Sequence, residues 1–377
     1  MFMNNNKMIC LGAAVLFSAM STQVMAESAE LALQPGQEYL ITAHYPDSIS
    51  VIDAETDKVY KTCSVPGRFN PGMSSLVVSP DSSRAYVVGD MLGTIYGIEL
   101  DTCQAVFKAQ LSQQPGERAR SIFSLAVSPD GEEVYTVVNP TQMNVDHYVV
   151  GEPRLQVYRA SDGLKAEPVR IFPAPRQTTI MQTAKDGSLY MVADNIYKVD
   201  VNTGERTVAI AVRNWERPGY GQPDVLYVWN HQQPTQDFSV IYAAPKFVDD
   251  AEDLETADFV YGFFNIDLET GETETKDFGL FKEVYFTAIR SPNDSNLLYG
   301  VLNRLAKFDI NKQELLQDQA LDHTYYIVTF NHAGNKLYLS GTLNDIGVHD
   351  PGSLEKIGSI KLPGGDMSLA TLQVFIR

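Results

Sequence analysis

Six histidines could act as bases or metal ligands: His44, His147, His231, His323, His332 and His349. None stands in an HExxH or H-x3-H spacing, so no zinc-binding histidine pair is predicted. The three cysteines, Cys10, Cys63 and Cys103, form no CxxC and no CxxCH, which excludes a zinc ribbon and covalent haem attachment. No GxSxG elbow, P-loop or GxGxxG is present. Catalytic residues and metal ligands are therefore expected to be absent from this chain. Cys10 lies in an apolar leader. Cys63 and Cys103 can pair in an oxidising compartment or remain two separate buried thiols.

Carboxylates are abundant, but they recur in turns. Asp81, Asp130, Asp186 and Asp267 sit where a strand has just ended, as in Ser79-Pro80-Asp81 and Ser128-Pro129-Asp130-Gly131. There Asp caps the turn and Gly accepts a positive φ, so turn formation explains them better than acid–base chemistry. The turns belong to a repeat. Ser75-Leu76-Val77-Val78, Ala85-Tyr86-Val87-Val88 and Ile95-Tyr96-Gly97-Ile98 form one copy, and Phe123-Ser124-Leu125-Ala126 with Val134-Tyr135-Thr136-Val137 opens the next. An acidic anchor returns at Asp53, Asp101, Asp200, Asp267, Asp309 and Asp350, with a degenerate copy near Ser161-Asp162. Seven copies of about fifty residues, each with four short strands, predict an all-β, seven-bladed β-propeller. The first copy shows three strands from Tyr39. Met367 to Val374 resembles the missing inner strand, so the C-terminal strand is expected to close the ring and leave no open edge.

In such a blade, the turns joining strands one to two and three to four lie on one face. Those joining two to three, and blade to blade, lie on the other. The Asp-Gly and Thr-Gly turns are short. The long connections, 139–153, 244–258, 66–74, 111–121 and 213–224, fall on the opposite face, which is the expected working face. Trp215 and Tyr220 lie in one of them, which ends at Pro223-Asp224, and are expected to meet a partner or ligand. Tyr285-Phe286 and Tyr325-Tyr326 open two inner strands, where they either line the channel mouth or fill it as core. Trp229 is expected in the core. The acidic run from Asp249 to Glu255 is a solvated loop or a dock for a basic partner.

Residues 1–26 have the pattern of a secretory leader: Lys7, an apolar stretch from Met8 to Met20, and Val24-Met25-Ala26 before Glu27. The remainder, residues 27–377, is expected to form a single propeller domain in the periplasm of a Gram-negative cell. No further apolar run reaches membrane-spanning length, so no membrane partner is expected. Of 377 residues, 47 are Asp or Glu and 29 are Lys or Arg, giving a net charge of −18. That charge repels phosphate backbones and excludes nucleic-acid binding.

The stretch Asn214-Trp215-Glu216, with Tyr220-Gly221-Gln222-Pro223-Asp224-Val225-Leu226-Tyr227-Val228-Trp229-Asn230, resembles the beta subunit of quinohemoprotein amine dehydrogenase. Ala174-Pro175-Arg176-Gln177, His323-Thr324-Tyr325-Tyr326 and Met367-Ser368-Leu369-Ala370 extend the resemblance, which runs from about Tyr39 to the C-terminus. The Cys63/Cys103 pair lies outside that family pattern.

The resemblance implies a seven-bladed propeller without a cofactor of its own, in a heterotrimer. A dihaem cytochrome c subunit carries haem c, and a small subunit carries a cysteine tryptophylquinone. The complex oxidises primary amines to aldehyde and ammonia. In this frame Trp215, Tyr220, Asp224, His323, Tyr325 and Tyr326 are expected to face the substrate cavity or a partner subunit. The alternatives are the heavy chain of a methylamine dehydrogenase and a free-standing periplasmic propeller that binds a ligand or protein.

Overall fold

The computed structural model describes residues 31–67, 75–225, 236–367 and 370–377. The leader, Trp229 and His231 lie outside them. The described residues form seven antiparallel sheets in chain order. Blade 1 comprises Leu372–Ile376, Glu38–His44, Ser48–Asp53 and Lys58–Ser64. Blade 2 comprises Leu76–Val78, Arg84–Gly89, Thr94–Glu99 and Ala105–Gln110. Blade 3 comprises Leu125–Val127, Glu133–Met143, Arg154–Arg159 and Arg170–Pro173, with the added strands Glu117–Arg120 and Tyr148–Val150. Blade 4 runs from Ile180–Thr183 to Arg206–Ile210, and blade 5 from Asp224–Val225 to Thr273–Leu280. Blade 6 runs from Tyr285–Arg290 to Glu314–Ala320, and blade 7 from Ile327–Phe330 to Lys356–Lys361. No helix among the described residues is long and apolar enough to cross a membrane.

The burial gradient across each sheet follows from this arrangement. Inner strands such as Leu76–Val78 and Ile327–Phe330 are buried throughout, whereas the outer strand Glu314–Ala320 is almost wholly exposed. The sheets therefore bury both faces against neighbouring blades, through apolar clusters that bridge each successive pair. The repeated tyrosine of the second strand fills these gaps: Tyr86, Tyr135, Tyr190, Tyr299 and Tyr338 are all buried. Its hydroxyl also joins blades. Tyr299 donates to the Pro351 carbonyl of blade 7 at 3.0 Å, and Tyr338 donates to Asp57 of blade 1 at 3.0 Å.

The expectation of a ring closed by the C-terminal strand needs correction. Among the described residues every sheet is open and none closes on itself by hydrogen bonding, although the outer strand of blade 2 gains one parallel bridge, Ala109 with Ala166 of blade 3. Leu372–Ile376 pairs with Glu38–His44 inside one sheet, Tyr39 opposite Phe375. Blade joins blade mainly by side-chain packing, because a radial sheet presents its faces more than its edges to its neighbours.

Turn chemistry matches the local sequence. Asp130 accepts the Glu132 N–H at 3.0 Å and the Ser128 hydroxyl at 2.5 Å, and Gly131 takes φ +77°. Asp186 and Asp267 cap their turns in the same way, through the N–H groups of Ser188 and Glu269. Asp101 departs from the pattern. It accepts the Leu33 N–H at 2.9 Å and the Arg377 guanidinium at 2.6 Å, so it ties the segment before blade 1 and Arg377 to blade 2. Beside it, Cys63 of blade 1 and Cys103 of blade 2 form a disulfide with a Cα–Cα distance of 5.0 Å. Buried Lys61 completes the seam, donating to the carbonyls of Leu31 and Asp101.

Candidate functional site

Antiparallel order places the blade-to-blade and second-to-third connections on one face. Exposed large apolar side chains gather there: Val145 and Tyr148 on blade 3, Val248 and Leu254 on blade 5, and Phe281 and Val284 before blade 6. Fewer are exposed toward the opposite face, among them Leu31, Leu164 and Ile376, and others such as Val208, Leu316 and Ile357 lie on outer strands. The acidic segment from Asp249 to Glu255 is exposed between Val248 and Asp258, with Asp249 and Asp253 capping local N–H groups. Its backbone is thus shaped by its own carboxylates.

The connection from blade 4 to blade 5 is anchored by a polar–aromatic cluster. Arg217 makes a forked pair with Asp277, at 2.7 and 3.1 Å. Asp277 is buried, and it also accepts the hydroxyls of Tyr220 at 2.6 Å and Tyr242 at 2.7 Å. The guanidinium lies 3.9 Å from the Tyr220 ring centroid, and Trp215 packs edge-on against Tyr220 at 5.8 Å and against Phe264 at 6.0 Å. Burial raises the Asp277 pKa, but the hydrogen bonds from Tyr220, Arg217 and Tyr242 outweigh it and hold the carboxyl below its usual range. Tyr220 is pushed up to about 12, by burial and then by its bond to that carboxylate. Trp215 and Tyr220 are thus brought together, each half-buried, with one side on the blade 5 core. Asp224 is exposed at the start of the inner strand.

A second cluster opens blade 7. His323 stacks on Tyr325 with centroids 4.0 Å apart. Its Nε2 lies 3.2 Å from Asp345, and its Nδ1 lies 2.9 Å from the Thr324 carbonyl. The buried Tyr325 hydroxyl donates to Asp345 at 3.1 Å, and Asp322 is held by Lys356 at 2.6 Å. Tyr326 points elsewhere, stacking on Phe286 at 5.4 Å. Trp215 and Tyr220 therefore belong to blade 5, and His323 and Tyr325 to blade 7. Arg217, Tyr242 and Asp277 were not foreseen from sequence. Arg217 had one signal, its position between Trp215 and Tyr220 in the same connection.

Among the described residues no group of three or more His, Cys, Asp or Glu could hold a metal ion. A cavity of about 480 Å³ on the working face lies beside the blade 3 extension and is walled by Pro140, Val149, Pro153, Ile171 and Phe172. A cavity of about 440 Å³ opens on the opposite face at the channel mouth, between Ser79, Gln182, Lys185 and His332.

No protein-family model matches the chain, and no curated protein does. Solved structures do. Hydrazine synthase of Kuenenia stuttgartiensis is 16% identical, with 78% of this chain and 86% of that chain covered and a TM-score of 0.50. Apo AztD from Citrobacter koseri is 12% identical, with 90% and 98% covered and a TM-score of 0.53. A functionally unknown protein from Desulfotomaculum acetoxidans is 14% identical, with 87% and 98% covered and a TM-score of 0.53. At these identities the likeness is one of fold alone, and the fold of this chain is a seven-bladed β-propeller.

Proposed function

We propose that this chain is a propeller scaffold that binds a partner protein on its long-connection face. In its specific form it is the cofactor-free propeller subunit of a periplasmic amine dehydrogenase. One observation carries the scaffold reading: exposed apolar side chains concentrate on one face, together with most of the long connections. Patches of that kind on a soluble protein mark interaction surfaces. The leader-like residues 1–26 support export, and the Trp215-to-Asp224 stretch supports the amine dehydrogenase form.

This chain's own residues then have mechanical roles. The Arg217–Asp277 pair fixes the 213–223 connection, so that the exposed sides of Trp215 and Tyr220 are presented at a constant position. His323 and Tyr325 do the same at blade 7. The quinone and the haems would reside in the partner subunits, and the amine would be bound where the small subunit meets this face.

Purification of the tagged chain from its source tests the proposal. Haem absorbance together with a small thioether-rich subunit supports the amine dehydrogenase form. A small tryptophan-quinone subunit without haem points to the methylamine dehydrogenase type instead. A chain that purifies alone overturns the subunit reading.

A further inference from the structure

Blade 3 carries an arm found on no other described blade. Strand Glu133–Met143 continues beyond the sheet and is flanked there by Glu117–Arg120 on one side and Tyr148–Val150 on the other. The register decides which side chains share a face. Arg120 lies opposite Asn139, and Arg118 opposite Thr141. Thr141 lies opposite Val150, and Met143 opposite Tyr148. Directly opposed residues point to the same side of a sheet. One face of the arm therefore displays two guanidinium groups, an amide and a hydroxyl, rimmed by exposed Tyr148 and Val150.

Among the described residues, the arginines on this face have no acceptor. Every other described arginine that is not fully exposed has an acceptor. Arg154, Arg170, Arg217, Arg290, Arg304 and Arg377 pair with carboxylates, and Arg84 donates to the Ala160 carbonyl. Arg120 is half-buried and has none, and its Nε is shielded from solvent without a hydrogen bond. The Oδ1 of Asn139, across the ladder, is likewise buried and unsatisfied. The carboxylate nearest in sequence, Glu117, points to the other side of its strand, where Arg154 engages it at 2.7 and 3.1 Å. Outside the described residues, segments 68–74, 226–235 and 368–369 contain no Asp or Glu, and residues 1–30 contain two, Glu27 and Glu30. Burial and the neighbouring Arg118 charge both lower the Arg120 pKa, which is the signature of a cation without a counter-charge. Half-buried Arg120 therefore has no counter-charge among the described residues of a protein of net charge −18, and exposed Arg118 adds a second cation beside it.

We infer that the Arg118/Arg120 face of the blade 3 arm recognises carboxylates on an apolar surface of a partner protein. Free small anions suit the face less well. It is an open sheet surface, where a lone anion stays in high dielectric and binds weakly. A protein surface covers Tyr148 and Val150, excludes water and lets the guanidinium forks bond carboxylates at close range. The inference rests on the reading of this face as a protein dock, and it adds the sign of the charge that the partner must bring to blade 3.

The test uses the full secreted chain and two labelled peptides, one alternating Glu and Leu, the other alternating Lys and Leu. The bulk charge of the protein favours the Lys peptide, so only a local site favours the Glu peptide. Arg118→Gln/Arg120→Gln is expected to weaken Glu-peptide binding by about tenfold, as for loss of a charge-assisted hydrogen bond, and to leave the Lys peptide unaffected. Arg118→Lys/Arg120→Lys should retain part of the affinity, because charge remains and the fork is lost. The double Gln variant should melt at or above the wild-type temperature, since two like charges are removed. Glu-peptide binding that is absent, or unchanged in the double Gln variant, overturns the inference. So does a double Gln variant that fails to fold, which would make the arginines structural. Purification from the source judges the docking reading and the peptides judge the arginine pair, so the two failures are told apart.

Discussion

Replacing Arg217 by Ala tests how the candidate site is held. Asp277 is 2% exposed and Arg217 30% exposed. Removing the cation leaves a buried carboxylate held only by the hydroxyls of Tyr220 and Tyr242. Breaking a buried pair in this way costs 3–5 kcal/mol, and the partial exposure of Arg217 places this one near about 3 kcal/mol. Unfolding entropy near 2 cal/mol/K per residue converts that into a Tm drop of about 4 °C for a chain of this length. The loss depends on pH with a definite sign. The folded Asp277 pKa is held below its ordinary value, so its contribution is present above about pH 4 and is lost as pH falls through the folded pKa. The gap between variant and wild type should therefore be widest near neutrality and narrow below about pH 4. Adding Asp277→Asn removes the stranded charge and should return part of the stability. Calorimetry of the three proteins across pH is the assay. A Tm within about 1 °C of wild type for Arg217→Ala would refute the argument at the scale expected for such a pair. A double variant less stable than the single one would refute it independently.

Further outcomes follow from the same structure. Tyr220→Phe deletes one hydrogen bond to the Asp277 carboxylate and should cost about 1.5 kcal/mol by denaturant titration, whether or not a partner is present. Cys63→Ala/Cys103→Ala opens a loop with a sequence separation of 40. The chain-entropy account assigns that loop about 4 kcal/mol, seen as a lower Tm that matches wild type in reductant; equal melting of the oxidised proteins would count against it. The purified chain alone should be colourless and should not turn over primary amines, and steady amine oxidation without added subunits would sink the scaffold reading.

Much of this architecture is written locally. The Asp130 and Asp186 turns need only a carboxylate two residues before an N–H and a glycine that tolerates positive φ, and both are visible in five residues of sequence. The repeated tyrosine and the strand spacing likewise announce seven blades, because each blade is a short-range structure copied along the chain. Face assignment was also legible, since antiparallel order alone sends alternate connections to opposite ends of the sheets. What pairs across blades was not. Cys63 and Cys103 could be bonded or separate until the blades placed them 5.0 Å apart. Arg217 meets Asp277 from 60 residues away, so nothing near either residue names the other. The C-terminal strand was foreseen as inner strand and closure together. Only the first is found, because blades pack by faces and no sheet closes on itself by hydrogen bonding. The Arg118/Arg120 face is the extreme case: a missing partner leaves no mark in a sequence with 47 acidic residues, and only the folded ladder shows that none of the described ones reaches it.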